Sequence, residues 1–209
     1  MPTPPGGVDF FEAASGDRRA TLSWVNATDA DFTATRVLRS TVGTAGSPEP
    51  NSRQTQVYQG TGGSFTDTAL TNAQTYYYSA YARDDAGNWS PKAVVRARPA
   101  DTTRPTVTTL SPASRATGVS TTANVYATFS EAMHPSTVTR TTVKLVRRGT
   151  TSAVPAVVSY SASARRATLN PSAALAKGKT YTATVTTGAK DLAGNPLATA
   201  KSWSFTTRK

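Results

Sequence analysis

Short alternating runs of apolar and polar residues recur along the chain. Ala20-Thr21-Leu22-Ser23-Trp24 and Val125-Tyr126-Ala127-Thr128-Phe129 turn every second side chain to one face, the period of a half-buried strand, and both close on an aromatic ring. Further strands are expected over Arg36–Thr41, Tyr76–Arg83, Val154–Tyr160 and Tyr181–Thr187. No stretch of useful length has helical periodicity, and Pro171–Leu175 allows one helical turn at most. The pattern predicts an all-β chain.

The pattern also repeats. Trp24, Leu70 and Tyr76 recur as Phe129, Leu175 and Tyr181, at a constant offset of 105 positions. In each half the spacing Leu-x5-Tyr stands at the entry to a late strand. That placement suits a tyrosine corner, in which the ring packs in the core and the hydroxyl meets backbone a few residues upstream. Each late strand ends in a related turn, Asp85-Ala86-Gly87-Asn88 or Asp191-Leu192-Ala193-Gly194-Asn195. Between the halves, Arg98–Pro105 contains two prolines that fix φ and hold their predecessors extended, so a short, stiff linker is expected. Two tandem β-sandwiches follow, over residues 1–99 and 104–209.

Composition removes most catalytic chemistry. The absence of Cys excludes disulfides, thiolate nucleophiles and Cys-ligated zinc, and a single histidine, His134, excludes multi-histidine metal sites. Glu131 and His134 are three residues apart with no third group to orient the imidazole, which reads as a surface loop. No catalytic residue, cofactor or metal site is therefore expected. No run of 18 apolar residues occurs, so no membrane insertion is expected, and Met1-Pro2-Thr3-Pro4-Pro5 lacks the layout of a signal peptide.

Other motifs read as turns. Gly178-Lys179-Thr180 lacks the upstream glycine and the following helix of a phosphate loop. Gly60-Thr61-Gly62-Gly63 reads as a hairpin loop whose glycines supply positive φ. Asp84, Asp85 and Asn88, and separately Asp191 and Asn195, offer too few oxygens for calcium and are expected to accept backbone N–H groups within their turns. The sequons at Asn26 and Asn88 are short enough to arise by chance.

Two features carry ligand-binding expectations. Alternation from Tyr76 sends Tyr77, Ser79 and Tyr81 to an outer sheet face, where two rings could stack on sugar, or pack against Arg36 and Arg96 of neighbouring strands. Trp89 is expected to lid the edge of the core. The formal charge of +11 arises wholly after Ala100: residues 1–100 balance nine basic against nine acidic residues, whereas 101–209 carry fourteen against three. Arg147-Arg148 and Arg165-Arg166 flank one strand, on the order of 20 Å apart, and form no single pocket. With Lys144, Lys177, Lys179, Lys190 and Lys201 they make a diffuse positive field that suits an anionic polymer. No specific nucleic-acid motif accompanies it.

The first half resembles the fibronectin type III family through the Trp24 strand, Arg36–Thr41, Leu70 to Tyr76 and Asp84-Asp85-Ala86-Gly87-Asn88-Trp89-Ser90-Pro91. It departs in Thr35 and in a long polar loop from Thr41 to Gln56, and it lacks an Arg-Gly-Asp tripeptide. The second half resembles bacterial Ig-like domains of S-layer proteins, surface proteins and secreted polysaccharide hydrolases. The likeness rests on Thr128-Phe129-Ser130-Glu131-Ala132-Met133-His134-Pro135, Tyr181-Thr182-Ala183-Thr184-Val185, Lys190-Asp191-Leu192-Ala193-Gly194-Asn195 and Trp203-Ser204-Phe205-Thr206-Thr207. His134 stands where that family often has Asp.

These resemblances imply non-catalytic spacer or adhesive modules of a secreted or cell-surface bacterial protein, monomeric as a fragment. The alternative they imply is an accessory module of a polysaccharide-active enzyme that binds glycan or anionic polymer. The partners would be cell-wall or extracellular polysaccharide, or neighbouring domains of a larger chain.

Overall fold

A computed structural model describes residues 3–209; Met1 and Pro2, the start of the N-terminal stretch read above, lie outside the described residues. The chain divides into two units, Met1–Thr102 and Thr103–Lys209. Fourteen strands and one 3-10 turn, Pro135–Thr137, make up the described secondary structure, with no α-helix.

The first unit holds β1 (Asp9–Gly16), β2 (Arg19–Val25), β3 (Phe32–Ser40), β4 (Thr55–Gly60), β5 (Ser64–Asp67), β6 (Tyr76–Asp84) and β7 (Ala93–Ala97). They form two antiparallel sheets, ordered β1-β2-β5 and β4-β3-β6-β7. The alternation of β2 does what its sequence dictates: Ala20, Leu22 and Trp24 are buried while Arg19, Thr21, Ser23 and Val25 face out. Trp24 meets Phe11 and Tyr58 edge-on, with ring centroids 6.2 and 5.1 Å away, the geometry that aromatic quadrupoles favour.

The second unit holds β8 (Val107–Ser111), β9 (Val125–Phe129), β10 (Val143–Arg147), β11 (Ala156–Ser161), β12 (Arg166–Pro171), β13 (Thr180–Val185) and β14 (Lys201–Thr206). Its sheets run β11-β12-β9-β8 and β10-β13-β14. Their inner faces bury Val125, Phe129, Leu145, Leu169, Tyr181, Val185, Trp203 and Phe205 in one core. The strand expected from Val154 starts two residues later, at Ala156. Pro155 lacks the N–H a ladder needs, and Val154 instead donates to the Leu145 carbonyl of β10.

One device closes both sandwiches. Tyr76 and Tyr181 are buried, and each hydroxyl accepts the backbone N–H five residues upstream, from Thr71 and Ala176, at 2.9 Å in both cases. Leu70 and Leu175 are buried beside them, and their N–H groups bond the Arg18 and Thr121 carbonyls. The corner pins the connection that crosses between the sheets, satisfying a backbone donor that would otherwise be lost to water.

The Gly60–Gly63 loop differs from expectation. None of its three glycines is among the positive-φ residues. They are required by close approach: a Cβ on Gly60 or Gly62 would lie 2.9 or 2.8 Å from the Tyr58 hydroxyl, and one on Gly63 3.0 Å from the Trp24 carbonyl. The Tyr58 ring lies over the loop, and its hydroxyl accepts the Gly62 N–H at 2.7 Å.

Tyr76→Phe and Tyr181→Phe each remove the acceptor of a part-buried backbone N–H, a change that costs about 0.5–1.5 kcal/mol. Guanidinium denaturation should show the loss in the unit that carries the substitution, with the other unit unmoved. A loss under about 0.5 kcal/mol for both variants would contradict the structural role of the corner.

Candidate functional site

The outer face of the β4-β3-β6-β7 sheet is where two stacking rings were expected, and the long β3–β4 loop covers it. Tyr81 is 3% exposed and packs with Leu38 and Ala45 in a second small cluster, against which half-buried Trp89 rests. Three hydrogen bonds tether the loop at Ala45. Its N–H donates to Ser79 Oγ at 2.9 Å, and its carbonyl accepts Tyr81 Oη and Lys92 Nζ, both at 3.1 Å. Burial pushes the Tyr81 phenol above its ordinary pKa. Tyr81 thus presents no ring to a ligand, because the loop whose length was visible in the sequence folds back on the strand beneath it. Tyr77 stays half-buried on this face, opposite Ser40 and Arg96.

Arg36 lies opposite Tyr81, as alternation requires, but its guanidinium stacks on Trp89, 4.4 Å from the ring centroid, and bonds the Pro48 carbonyl and Glu49. Arg83 stands 5.5 Å from the same ring. Trp89 therefore covers this outer cluster, and the edge of the main core lies elsewhere.

The two turns that offered acidic oxygens share one geometry. Asp84 accepts the Asn88 backbone N–H at 2.6 Å and its side-chain amide at 2.7 Å; Asp191 accepts the same two groups of Asn195 at 2.8 Å each. Both acids are 1% exposed, and Gly87 and Gly194 take φ of 89° and 95°. The matching residue in the first half is thus Asp84, one position before the Asp85 at which the related turn was expected to begin. Glu131 and Asp191 bring carboxylate oxygens within 4.8 Å of each other. His134 Nδ1 lies 2.9 Å from Ser136 Oγ, and its backbone N–H bonds the Lys190 carbonyl.

A third buried acid gave no signal in the sequence. Asp67 of β5 accepts Arg39 Nη1 on both oxygens, at 2.9 and 3.0 Å, and Tyr78 Oη at 2.9 Å, which joins the two sheets of the first unit. Burial, then the hydrogen bond and charge of Asp67, push the Tyr78 phenol well above its ordinary pKa. Only the Thr-Asp ending of β5 marks the place, and pairing across sheets is not readable from local pattern.

In the second unit, Arg147 ends β10 with Arg148 beside it, while Arg165 and Arg166 turn the β11–β12 hairpin, so the two pairs share no pocket. Arg166 lies 4.7 Å from the Tyr126 centroid, and Arg165 Nη1 donates to the Ser130 carbonyl at 2.9 Å. Along the open side of the sandwich, between β10 and β11, runs an apolar slot of about 370 Å³ with Val143, Leu145, Ala156, Val158 and Leu169 in its walls and Arg140 and Lys144 on its rim. A second groove of about 350 Å³, between Val138–Arg140 and Ala156–Val158, meets it. No grouping of nucleophile, base and oxyanion donors lines either one.

Residues 101–207, just over half of the chain, match the family model of the bacterial Ig-like domain. The chain belongs to that family. Among solved structures, the N-terminal part of the bacterial S-layer protein SbsC is 24% identical over 51% of this chain, with a TM-score of 0.40. The sixth fibronectin type III domain of human fibronectin type III domain containing protein 3 is 20% identical over 49% of this chain and 94% of its own, with a TM-score of 0.38. The Clostridium perfringens spore cortex lytic enzyme SleM is 14% identical over 46% of this chain and 29% of its own, with a TM-score of 0.37. The chain spans about a quarter of the SbsC fragment, 24% of its length. A search of curated proteins finds no match.

In the Ig-like domain and in the unit before it, then, the acids that sequence placed in turns hold those turns. Desolvation raises the Asp84 carboxyl, but the bonds from the Asn88 side chain and from the N–H groups of Asn88, Gly87 and Ala86 outweigh it and hold the carboxyl below its ordinary value of 3.8. A pKa depressed by folding gives stability that is complete above the unfolded value and is lost as pH falls through the folded one. Thermal melts from pH 6 to pH 2 should therefore show the first unit losing more stability than an Asp84→Asn variant does. Parallel losses in the two proteins would contradict this.

Proposed function

We propose that the chain is a pair of non-catalytic β-sandwich modules of a secreted or cell-surface bacterial protein, acting to space or present a neighbouring element. The first module is of the fibronectin type III kind. One observation carries this reading. The buried acids and tyrosines are engaged in holding the fold: Asp67, Asp84 and Asp191 in hydrogen bonds, Tyr76 and Tyr181 in corners, and Tyr81 beneath a loop. Membership of a family of Ig-like modules supports it.

A second reading, capture of an anionic polymer such as an acidic polysaccharide, draws on the Ig-like domain's fourteen basic residues against two acids over Thr103–Lys209. One titration separates the two. Neutral and acidic polysaccharides are added to the full chain at low and high salt, and the mixtures are assayed for cleavage products. A spacer binds neither polymer. Binding to acidic polymer alone that weakens steeply with salt would favour capture, because exposed charges are screened within about 8–10 Å at physiological salt. Polymer cleavage would overturn both readings.

A further inference from the structure

A β-sandwich has four edge strands, and each exposes unpaired N–H and C=O groups unless something covers, bends or charges it. In the Ig-like domain three of the four are dealt with. The free side of β14 is paired by the segment Arg115–Val119: Arg115 N–H bonds the Ser204 carbonyl, Thr206 N–H the Ala116 carbonyl, and Val119 N–H the Thr206 carbonyl. The free side of β10 receives Ala153–Val154, and the strand carries Lys144 and Arg147. The ladder of β8 is interrupted by a bulge at Thr108.

The fourth edge, β11, has none of these devices. Its six residues, Ala-Val-Val-Ser-Tyr-Ser, carry no charge and no proline. It pairs in unbroken register with β12 alone. Val157 at its centre is 64% exposed, and the apolar slot and its adjoining groove open directly beside Ala156 and Val158. The surroundings are basic. Arg140 and Lys144 rim the slot near the start of the strand, and Arg165 and Arg166 turn the hairpin at its end.

We propose that the Ig-like domain takes up an extended acidic polypeptide segment from a partner protein as an added strand on β11. Backbone hydrogen bonds to the free edge would supply affinity. Alternate apolar side chains would enter the slot, and the intervening carboxylates would face Arg140 and Lys144 on its rim. Charge favours this occupant over a second copy of the chain, because two copies of β11 would bring the same cations together.

The test uses an eight-residue peptide of alternating Val and Glu, with a version N-methylated at alternate amides, added to the isotopically labelled full chain. Amide exchange and chemical shifts report the contact, and sedimentation reports the oligomeric state. The expected result is that the outward-facing Val158 and Tyr160 amides exchange at least 10-fold more slowly with the peptide, and that the N-methylated peptide gives no protection. Arg140→Glu, an exposed-rim change, should weaken binding at least 10-fold while the melting temperature stays within 2 °C. Several results would overturn the proposal: no protection along β11 at millimolar peptide, equal binding of the N-methylated peptide, unchanged affinity in the Arg140→Glu protein, or concentration-dependent dimers protected at β11 without peptide. Protection by acidic polysaccharide alone would overturn it in favour of polymer capture.

Discussion

Two twisted sheets packed about 10 Å apart are stable only if both inner faces are apolar and the chain that crosses between them leaves no backbone donor stranded. Here the second requirement is met by one interaction made twice, a backbone N–H given to a buried tyrosine hydroxyl five residues on. The crossing into the late strand carries that anchor in both units. Burial of each large core side chain, worth roughly 1.5–3 kcal/mol, follows once the sheets face each other.

The same requirement explains why so little chemistry is left over. Carboxylates are costly to bury unless hydrogen-bonded, and the three buried acids discussed above each find two or more donors. The cations of the Ig-like domain are a different case, since they lie on turns and strand ends spread over its surface, where they set a field without forming a pocket.

Sequence carried the fold further than it carried the surface. Alternation in β2 and β9 and the two Leu-x5-Tyr spacings are local patterns with local causes, and they appear in the structure where expected; the paired Asp–Asn turns appear too, the first held by Asp84 and not by Asp85. The Tyr81 face was not legible, because its fate rests on a loop folding back by contacts at Ala45, a residue with no pattern of its own. The Asp67–Arg39–Tyr78 bond set joins strands far apart in sequence. The bare edge of β11 becomes visible only after the other three edges are seen to be covered, bulged or charged.

The central claim is that each unit is held by its own core and its own tyrosine corner. Scanning calorimetry of the full chain, of segment 1–102 and of segment 103–209 addresses it directly. The account predicts two transitions in the full chain, each reproduced in midpoint and enthalpy by one segment. A single cooperative transition for the whole chain, or a segment with no transition of its own, would contradict it.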